Sequence, residues 1–490
     1  MIDTIPAYFL SLIGALLADA WTRPHAPSAR LGLRALVGIW VTALIAAAGF
    51  GVFLAVSGNP LLASILMIAV LGILALASNA KRGVLGEPLL FSDLALLGAM
   101  LKHPQFYFSV LALWQQVVGV IGLVALVAVL AWLFKPDAAM ALIGAGISGV
   151  ALIVLAICVR LPPLAGLAQS PQADADVQRL GLATTLLLYW LRWRSARTAL
   201  RLQEPVPIKQ AAGADPSEII IVVQCESFAD PTEIFASGGA DLPNLARAKR
   251  ESVQFGRLNV SGFGAYTMRT EYGVLFGREE AELGFLLYDP YLTALHDPAP
   301  ALPQKLAPSG WRSVFVHPHD MRFYSRDKIL PKAGFADLIG EETFAKPASG
   351  AGRYVRDTDV ATKLLSLAAK ATSPTLLYAV TMENHGPWAP HGDASASSMV
   401  ENYNSLVLAG DAMLGQLLDG MAELEKPATL VFFGDHRPTI PGASDPGGDK
   451  HTPYVIVQPG RGDSEARKAS ERVDLTPAQL HQAILDWGAN

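Results

Sequence analysis

Four short apolar segments in the second half of the chain each end on residues that bind metals or phosphate. Segment 219–224 (IIIVVQ) leads to Glu226, 313–316 to His317, 376–381 to Glu383, Asn384 and His385, and 429–433 to Gly434, Asp435 and His436. In open α/β sheets, ligands bind just beyond the carboxyl ends of the strands. Carboxylates and imidazoles repeated at one such edge point to a metallo-active site. Glu226 closes an apolar run, where a charge needs a partner or a cation; metal ligation and a capping role at a strand-to-helix turn both fit it. Asp435 and His436 are adjacent oxygen and nitrogen ligands suited to Mn²⁺, Mg²⁺ or Zn²⁺. The plainer reading of that pair is a turn aspartate beside a solvent histidine.

A nucleophile is suggested by residues 261–272, SGFGAYTMRTEY, which precede an apolar helical pattern. Glycines permit close backbone approach, and a hydroxyl at a helix N-terminus meets the positive end of the dipole. A cation beside such a hydroxyl makes it a nucleophile at neutral pH. Thr267 and Thr270 compete for that role, and an ordinary N-cap threonine is the bland alternative. Residues 317–327 (HPHDMRFYSRD) gather cations and donors suited to a phosphate. His385, in Asn384-His385, could protonate a leaving group or hold a phosphate oxygen. His451, before Thr-Pro, is a weaker candidate.

These residues need a scaffold. From about residue 218 onward strand and helix patterns alternate, with helices expected near 243–250, 300–308, 358–371 and 400–424. That alternation implies an α/β doubly wound sheet. Stretches 345–356 and 445–449 read as surface loops, the second near the site.

The first half is different. The chain is 51% hydrophobic and 17% charged, with a mean hydropathy of +0.34, too apolar for an ordinary soluble enzyme. Apolar stretches near 5–21, 35–56, 60–79, 109–133 and 139–159 suit an α-helical membrane region of about five transmembrane helices. Residues 80–106 form a connector that can lie in the interface. Residues 161–217 form a linker, in which 180–191 followed by Arg192, Arg194 and Arg197 suits an interfacial helix; packing against a globular domain fits as well. The expected division is therefore 1–160, 161–217 and 218–490. Arg23, Arg30, Arg34, Lys81, Arg82 and Lys102 fall in two loops that the positive-inside rule places in the cytoplasm. A net charge of −5 with no basic run gives no sign of a nucleic-acid partner. The two cysteines, Cys158 and Cys225, show no metal-binding spacing.

The ordered set of Glu226, the Thr267 motif, Tyr324-Ser-Arg326, Asn384-His385 and Asp435-His436 resembles the lipoteichoic acid synthase and phosphoglycerol transferase family. That family belongs to the alkaline phosphatase/sulfatase superfamily. The resemblance spans almost the whole chain and includes the connector bearing Asn79, Lys81, Arg82, Pro88, Ser92 and Asp93. It implies a sulfatase-like (alkaline phosphatase-like) catalytic domain after the membrane region. Glu226, Thr267, Asp435 and His436 would hold one Mn²⁺ or Mg²⁺, with Thr267 as nucleophile. Tyr324 and Arg326 would bind the phosphoglycerol, with His385 and His317 near the phosphate.

The donor implied is phosphatidylglycerol, cleaved through a phosphoglycerol–threonine intermediate. Diacylglycerol is released into the lipid bilayer, and a periplasmic or cell-envelope glycan is the acceptor. The family also implies a bacterial inner (cytoplasmic) membrane location with the catalytic domain facing the periplasm, against the charge count. The arginines at 192–197 would then serve an anionic lipid substrate. Phosphoethanolamine transfer and sulfatase-like hydrolysis are the rival chemistries, and a receptor or scaffold that has lost activity ranks below both. Two isolated cysteines argue against the first rival, whose enzymes usually carry several periplasmic disulfides. A missing C/S-x-P-x-R motif in 261–272 argues against a sulfatase. Arg326→Ala is expected to raise the donor requirement more than it unfolds the protein.

Overall fold

The computed structural model describes residues 4–26, 34–94, 113–200, 218–293, 300–347, 352–389, 395–447, 449–459 and 471–488. Two compact units divide at Ala196 and Arg197.

The first unit is helical: α1 (Thr4–Trp21), α2 (Leu36–Ser57), α3 (Pro60–Leu85), α4 (Leu113–Leu133), α5 (Ala138–Cys158), α6 (Ala173–Leu180) and α7 (Leu182–Leu200). Among the described residues, α1, α2, α3 and α5 are long and apolar enough to cross a membrane. The 21-residue α4 occupies the fourth expected span. Residues 95–106 of the expected connector, Lys102 among them, lie outside the described residues, as does Arg30.

Backbone and amide contacts sort the helix ends into two faces. Asn59 Nδ2 donates to Leu133 O at 3.0 Å, and Lys135 N donates to Ser57 O, so these ends meet. At the other ends, Asn79 bridges Trp21 O and Arg23 N, and Arg82 pairs with Asp174. The loop after α1, the connector after α3 and the chain leaving α5 therefore share one face. Several cations of the orientation count have internal partners there. Arg34 is buried, bonded to Asp19 Oδ2 and to the carbonyls of Asp19, Thr22, Pro24, Val177 and Gln178. Lys81 pairs with Asp93 and Glu87. These cations complete the bundle, which gives them a structural reason to exist whichever side they face.

Helix α7 covers the segment expected to be interfacial, and it packs on the helical unit. Leu182, Leu186, Leu188 and Tyr189 are buried, Leu188 with Val41, Leu44 and Leu155, so protein covers its apolar side. Arg192 donates to the carbonyls of Leu164, Ala165 and Leu167, and Arg194 lies over Trp190. Neither guanidinium stands idle for a lipid. The Arg197 side chain lies outside the described residues.

The second unit is built on an eight-stranded sheet. Its elements are β1 (Ile219–Cys225), α8 (Pro243–Glu251), β2 (Ser252–Asn259), α9 (Thr267–Phe276), β3 (Arg312–Val316), β4 (Asp337–Ile339), α10 (Asp357–Lys370), β5 (Thr375–Val380), α11 (Ala396–Ala422), β6 (Ala428–Gly434), β7 (His451–Val457), β8 (Glu471–Arg472) and α12 (Pro477–Gly488). The strand order is β4-β3-β5-β1-β6-β7-β2-β8. The pairs among β4, β3, β5, β1 and β6 are parallel. Strand β7 runs antiparallel to both its neighbours, so the sheet is mixed. β1, β5, β6 and β7 are buried along their whole length, as strands covered on both faces should be. One core, with Leu245, Leu364, Leu414 and Leu417, lies on one face. A second, with Val274, Leu302, Leu480 and Ile484, lies on the other.

Candidate metal centre

Strands β1 and β6 are adjacent and parallel, with Cys225 opposite Gly434. The residues that follow them therefore leave the sheet side by side. Glu226, Asp435 and His436 are all buried, with ligand atoms within 4.8 Å of one another. His436 Nε2 lies 3.3 Å from Glu226 Oε1 and 3.8 Å from Asp435 Oδ2. Gly434 allows this approach: a Cβ there would sit 1.7 Å from Phe228 O.

Several groups hold the three in place. Ser227 donates its N–H to Asp435 Oδ1 at 2.8 Å and its hydroxyl to Glu226 Oε1 at 2.8 Å. Thr381 Oγ1 accepts the Glu226 N–H at 3.1 Å. His436 Nδ1 lies 3.1 Å from Arg437 O; donation there leaves Nε2 as the ligand atom. Burial opposes the Glu226 charge, but the hydrogen bond and charge of His436 outweigh it and lower the pKa to about 2. Burial and the Glu226 charge raise Asp435 to about 6. Burial opposes the imidazolium of His436, but Asp435 and Glu226 lift it to about 9. A divalent cation fits this set, because Asp435 Oδ2 is buried without a hydrogen-bond partner. Two carboxylates and an imidazole suit Mn²⁺, Mg²⁺ or Zn²⁺. Adding Mn²⁺ to metal-stripped protein should raise its melting temperature, since a ligand bound only by the folded state stabilises it. Asp435→Asn should lose most of that rise, as read by thermal shift.

Thr267 opens α9 and is 7% exposed. Its hydroxyl lies close enough to the Asp435 carboxylate to help lower that carboxylate's pKa. The structure separates it from its rival: Thr270 is fully buried, and its hydroxyl donates to Asp435 O at 2.8 Å. Thr270 therefore fixes the ligand loop to α9. Residue 266, before Thr267, adopts φ 81°. Ser227, Tyr324 and Ser325 also have positive φ, at 49°, 57° and 56°. Non-glycine residues held in that region cost about 1–3 kcal/mol each and gather at functional sites.

Arg326 departs most from expectation. It is 1% exposed. Its Nε and Nη2 form a forked pair with Glu271 at 3.1 and 2.5 Å, and Nη1 lies 3.0 Å from His317 Nε2. Tyr291 also donates to Glu271, at 2.7 Å. His317 is buried with Nδ1 2.9 Å from Val380 O. An arginine only donates, so His317 Nε2 accepts and Nδ1 donates. Burial and the Arg326 charge hold the His317 pKa well below the usual value, so the ring is neutral. Three of the five guanidinium N–H groups are thus committed inside the protein. Tyr324 lies under Arg326, 5.2 Å from ring centroid to guanidinium carbon. Arg322 is turned out to solvent on Asp320 and does not join them.

His385 is half-buried, with Nδ1 2.8 Å from Gly386 O, and it adds to the lowering of the Glu226 pKa. Asn384 is structural: it donates to Ser227 O and accepts from Trp388. His451 sits apart from the metal ligands. Its Nε2 donates to Glu233 at 2.6 Å and its backbone O accepts from Arg437 Nε at 2.7 Å, beside a cleft of about 80 Å³ lined also by Lys249, Arg257 and Arg472.

Four contributors were missed in the sequence. Ser227 adjoins Glu226, and Glu271 closes the threonine motif, so both were legible by position. Thr381 and Tyr354 were not. Tyr354 lies in a stretch read as surface loop, of which 348–351 fall outside the described residues. Burial raises its pKa, Arg353 opposes, and the Glu226 charge adds to the rise.

Behind the site, Asp357 is fully buried beside Cys225, its Oδ2 3.7 Å from the thiol and its Oδ1 without a partner. Burial and the Glu383 charge raise its pKa to about 8. A carboxyl raised on folding binds more protons in the native state. Stability then falls as pH rises from about 4 to 8. Asp357→Asn should therefore be more stable than the wild type at pH 8 and lose that advantage toward pH 4, as read by urea midpoints.

A sulfatase family profile matches residues 218–487. The capsular polysaccharide biosynthesis protein RkpI of Rhizobium meliloti is 30% identical over 457 residues, covering 89% of this chain and 84% of its own. A putative cyclic β-1,2-glucan modification protein of the same organism is 27% identical over 235 residues, 45% of this chain and 36% of its own. Among solved structures, the lipooligosaccharide phosphoethanolamine transferase A of Neisseria meningitidis is similar in fold, with a TM-score of 0.58 at 12% identity over 98% of this chain and 94% of that one. The helical region followed by a mixed sheet is thus a known architecture. On the profile match and the near full-length relative, the chain belongs to the sulfatase family, within the alkaline phosphatase superfamily to which its motifs pointed.

Proposed function

We propose that the protein is a membrane-bound phosphoglycerol transferase that moves phosphoglycerol from phosphatidylglycerol to a cell-envelope glycan. The supporting observation is the Thr267 hydroxyl at the start of α9, beside a carboxylate of the buried Glu226–Asp435–His436 cluster. A divalent cation held by Glu226, Thr267, Asp435 and His436 would supply charge neutralisation and lower the pKa of a bound hydroxyl. Mn²⁺ or Mg²⁺ is the reading that the oxygen-rich set favours.

The side chains divide the work. Thr267 attacks phosphorus in line, helped by the helix dipole, and diacylglycerol leaves. His385 gives its proton to the departing oxygen. Arg326 holds the phosphoryl group with its uncommitted N–H groups, and Tyr324 lines the glycerol. Neutral His317 accepts from Arg326 and keeps that fork oriented, so it acts on the substrate through the arginine. A glycan hydroxyl then takes the phosphoglycerol from Thr267.

The glycan reading leans on two relatives whose names concern capsular polysaccharide and cyclic glucan. The membrane reading leans on four helices able to cross a bilayer. We place the protein in the bacterial inner membrane with its catalytic domain in the periplasm, where envelope glycans lie. Purified protein with Mn²⁺ and labelled phosphatidylglycerol should release diacylglycerol, and added glycans should become labelled. Release from phosphatidylethanolamine alone would replace this reading with phosphoethanolamine transfer. Chelation should stop release, and Mn²⁺ should restore it.

A further inference from the structure

We propose that Tyr354 forms the sugar-facing wall of the acceptor position, its ring stacking on a pyranose of the receiving glycan; this rests on the transferase reading above. The Tyr354 ring is half-buried and stands edge-on to His385, at 5.8 Å and 66°, and to His319, at 6.1 Å and 61°. Buried Val355 anchors the next residue in the core. On the other side, Arg353 donates to the Tyr354 hydroxyl at 3.2 Å and lies 5.2 Å from the ring centroid. The ring is therefore held between a loop guanidinium and two imidazoles.

In a double displacement at phosphorus, the leaving oxygen and the incoming oxygen occupy the same apical position opposite Thr267. His385 serves that position in both steps. A residue against His385 thus meets diacylglycerol first and the acceptor second. In the second step the acceptor hydroxyl gives its proton to His385, and its oxygen bonds phosphorus. The bond from phosphorus to Thr267 Oγ1 breaks, and that oxygen takes back from solvent water the proton it released there in the first step. A flat aromatic ring with a polar tip suits the C–H face of a pyranose, while Arg353 offers donors to its hydroxyls. Tyr324 is assigned differently, because it lies under Arg326 at the phosphate.

The test uses the full-length protein, phosphatidylglycerol vesicles, Mn²⁺ and a neutral glucose oligosaccharide as acceptor probe. Diacylglycerol release without acceptor and label transfer to the oligosaccharide are measured separately. Tyr354→Ala should raise the acceptor KM about tenfold, a loss of about 1.4 kcal/mol, with a much smaller effect on acceptor-free release. Tyr354→Phe should stay within about threefold of wild type, since its ring keeps the stacking face. An unchanged acceptor KM in Tyr354→Ala, or an equal loss in both assays, would overturn the assignment. Wild-type protein that released no diacylglycerol would instead overturn the transferase reading, and this inference with it.

Discussion

Thr267→Ala should lower turnover on the order of 10⁴- to 10⁶-fold, the scale seen when a covalent nucleophile is removed, with the fold intact. The residue before it, Tyr266, makes no side-chain cap bond to α9. Thr267 is the first helical residue, where alanine is tolerated well. Its hydroxyl instead faces Asp435. A steady melting temperature beside lost diacylglycerol release would support the assignment. Full activity in this variant would sink it, and would not promote Thr270, whose hydroxyl is spent on Asp435 O. Thr267→Ser should keep measurable activity, since it retains an oxygen at the same place.

The second large effect reverses an expectation. Arg326→Ala looked like a substrate-binding defect in the sequence. In the fold, Arg326 and Glu271 are 1% and 0% exposed and forked together. Removing one partner leaves the other buried and uncompensated, which costs about 3–5 kcal/mol. Arg326→Ala should therefore lose stability as well as activity, with a fall in the urea midpoint. Replacing both by an uncharged pair, Arg326→Met with Glu271→Gln, should recover much of the stability and none of the activity. A single variant as stable as wild type would show that the pair is not desolvated in the molecule.

Much of the site was legible along the chain because its parts end strands. The sheet repeats one operation: a buried apolar run, then a polar residue at the carboxyl edge. Glu226, His317, His385 and the Asp435-His436 pair could be singled out for that reason. Strand β2, the short strands β4 and β8 and the antiparallel course of β7 carried no comparable signal. Mixed burial along β2 leaves no clean period to read, and strand direction is a property of pairing.

The apolar helices, the alternation of strand and helix, and the side chains at the reactive edge could all be read from the order of residues. Burial periodicity and residue type are local, so a chain read in order contains them. What each of those side chains is free to do came from the folded packing. It placed the Thr270 hydroxyl on Asp435 O, committed Arg326 to Glu271 and His317, and gave Arg34, Lys81 and Arg192 internal partners in the helical unit. It also turned Tyr354 from a loop onto His385. Each of these depends on which distant group arrives alongside, and a hydrogen bond or ion pair across dozens of residues leaves no trace in local spacing.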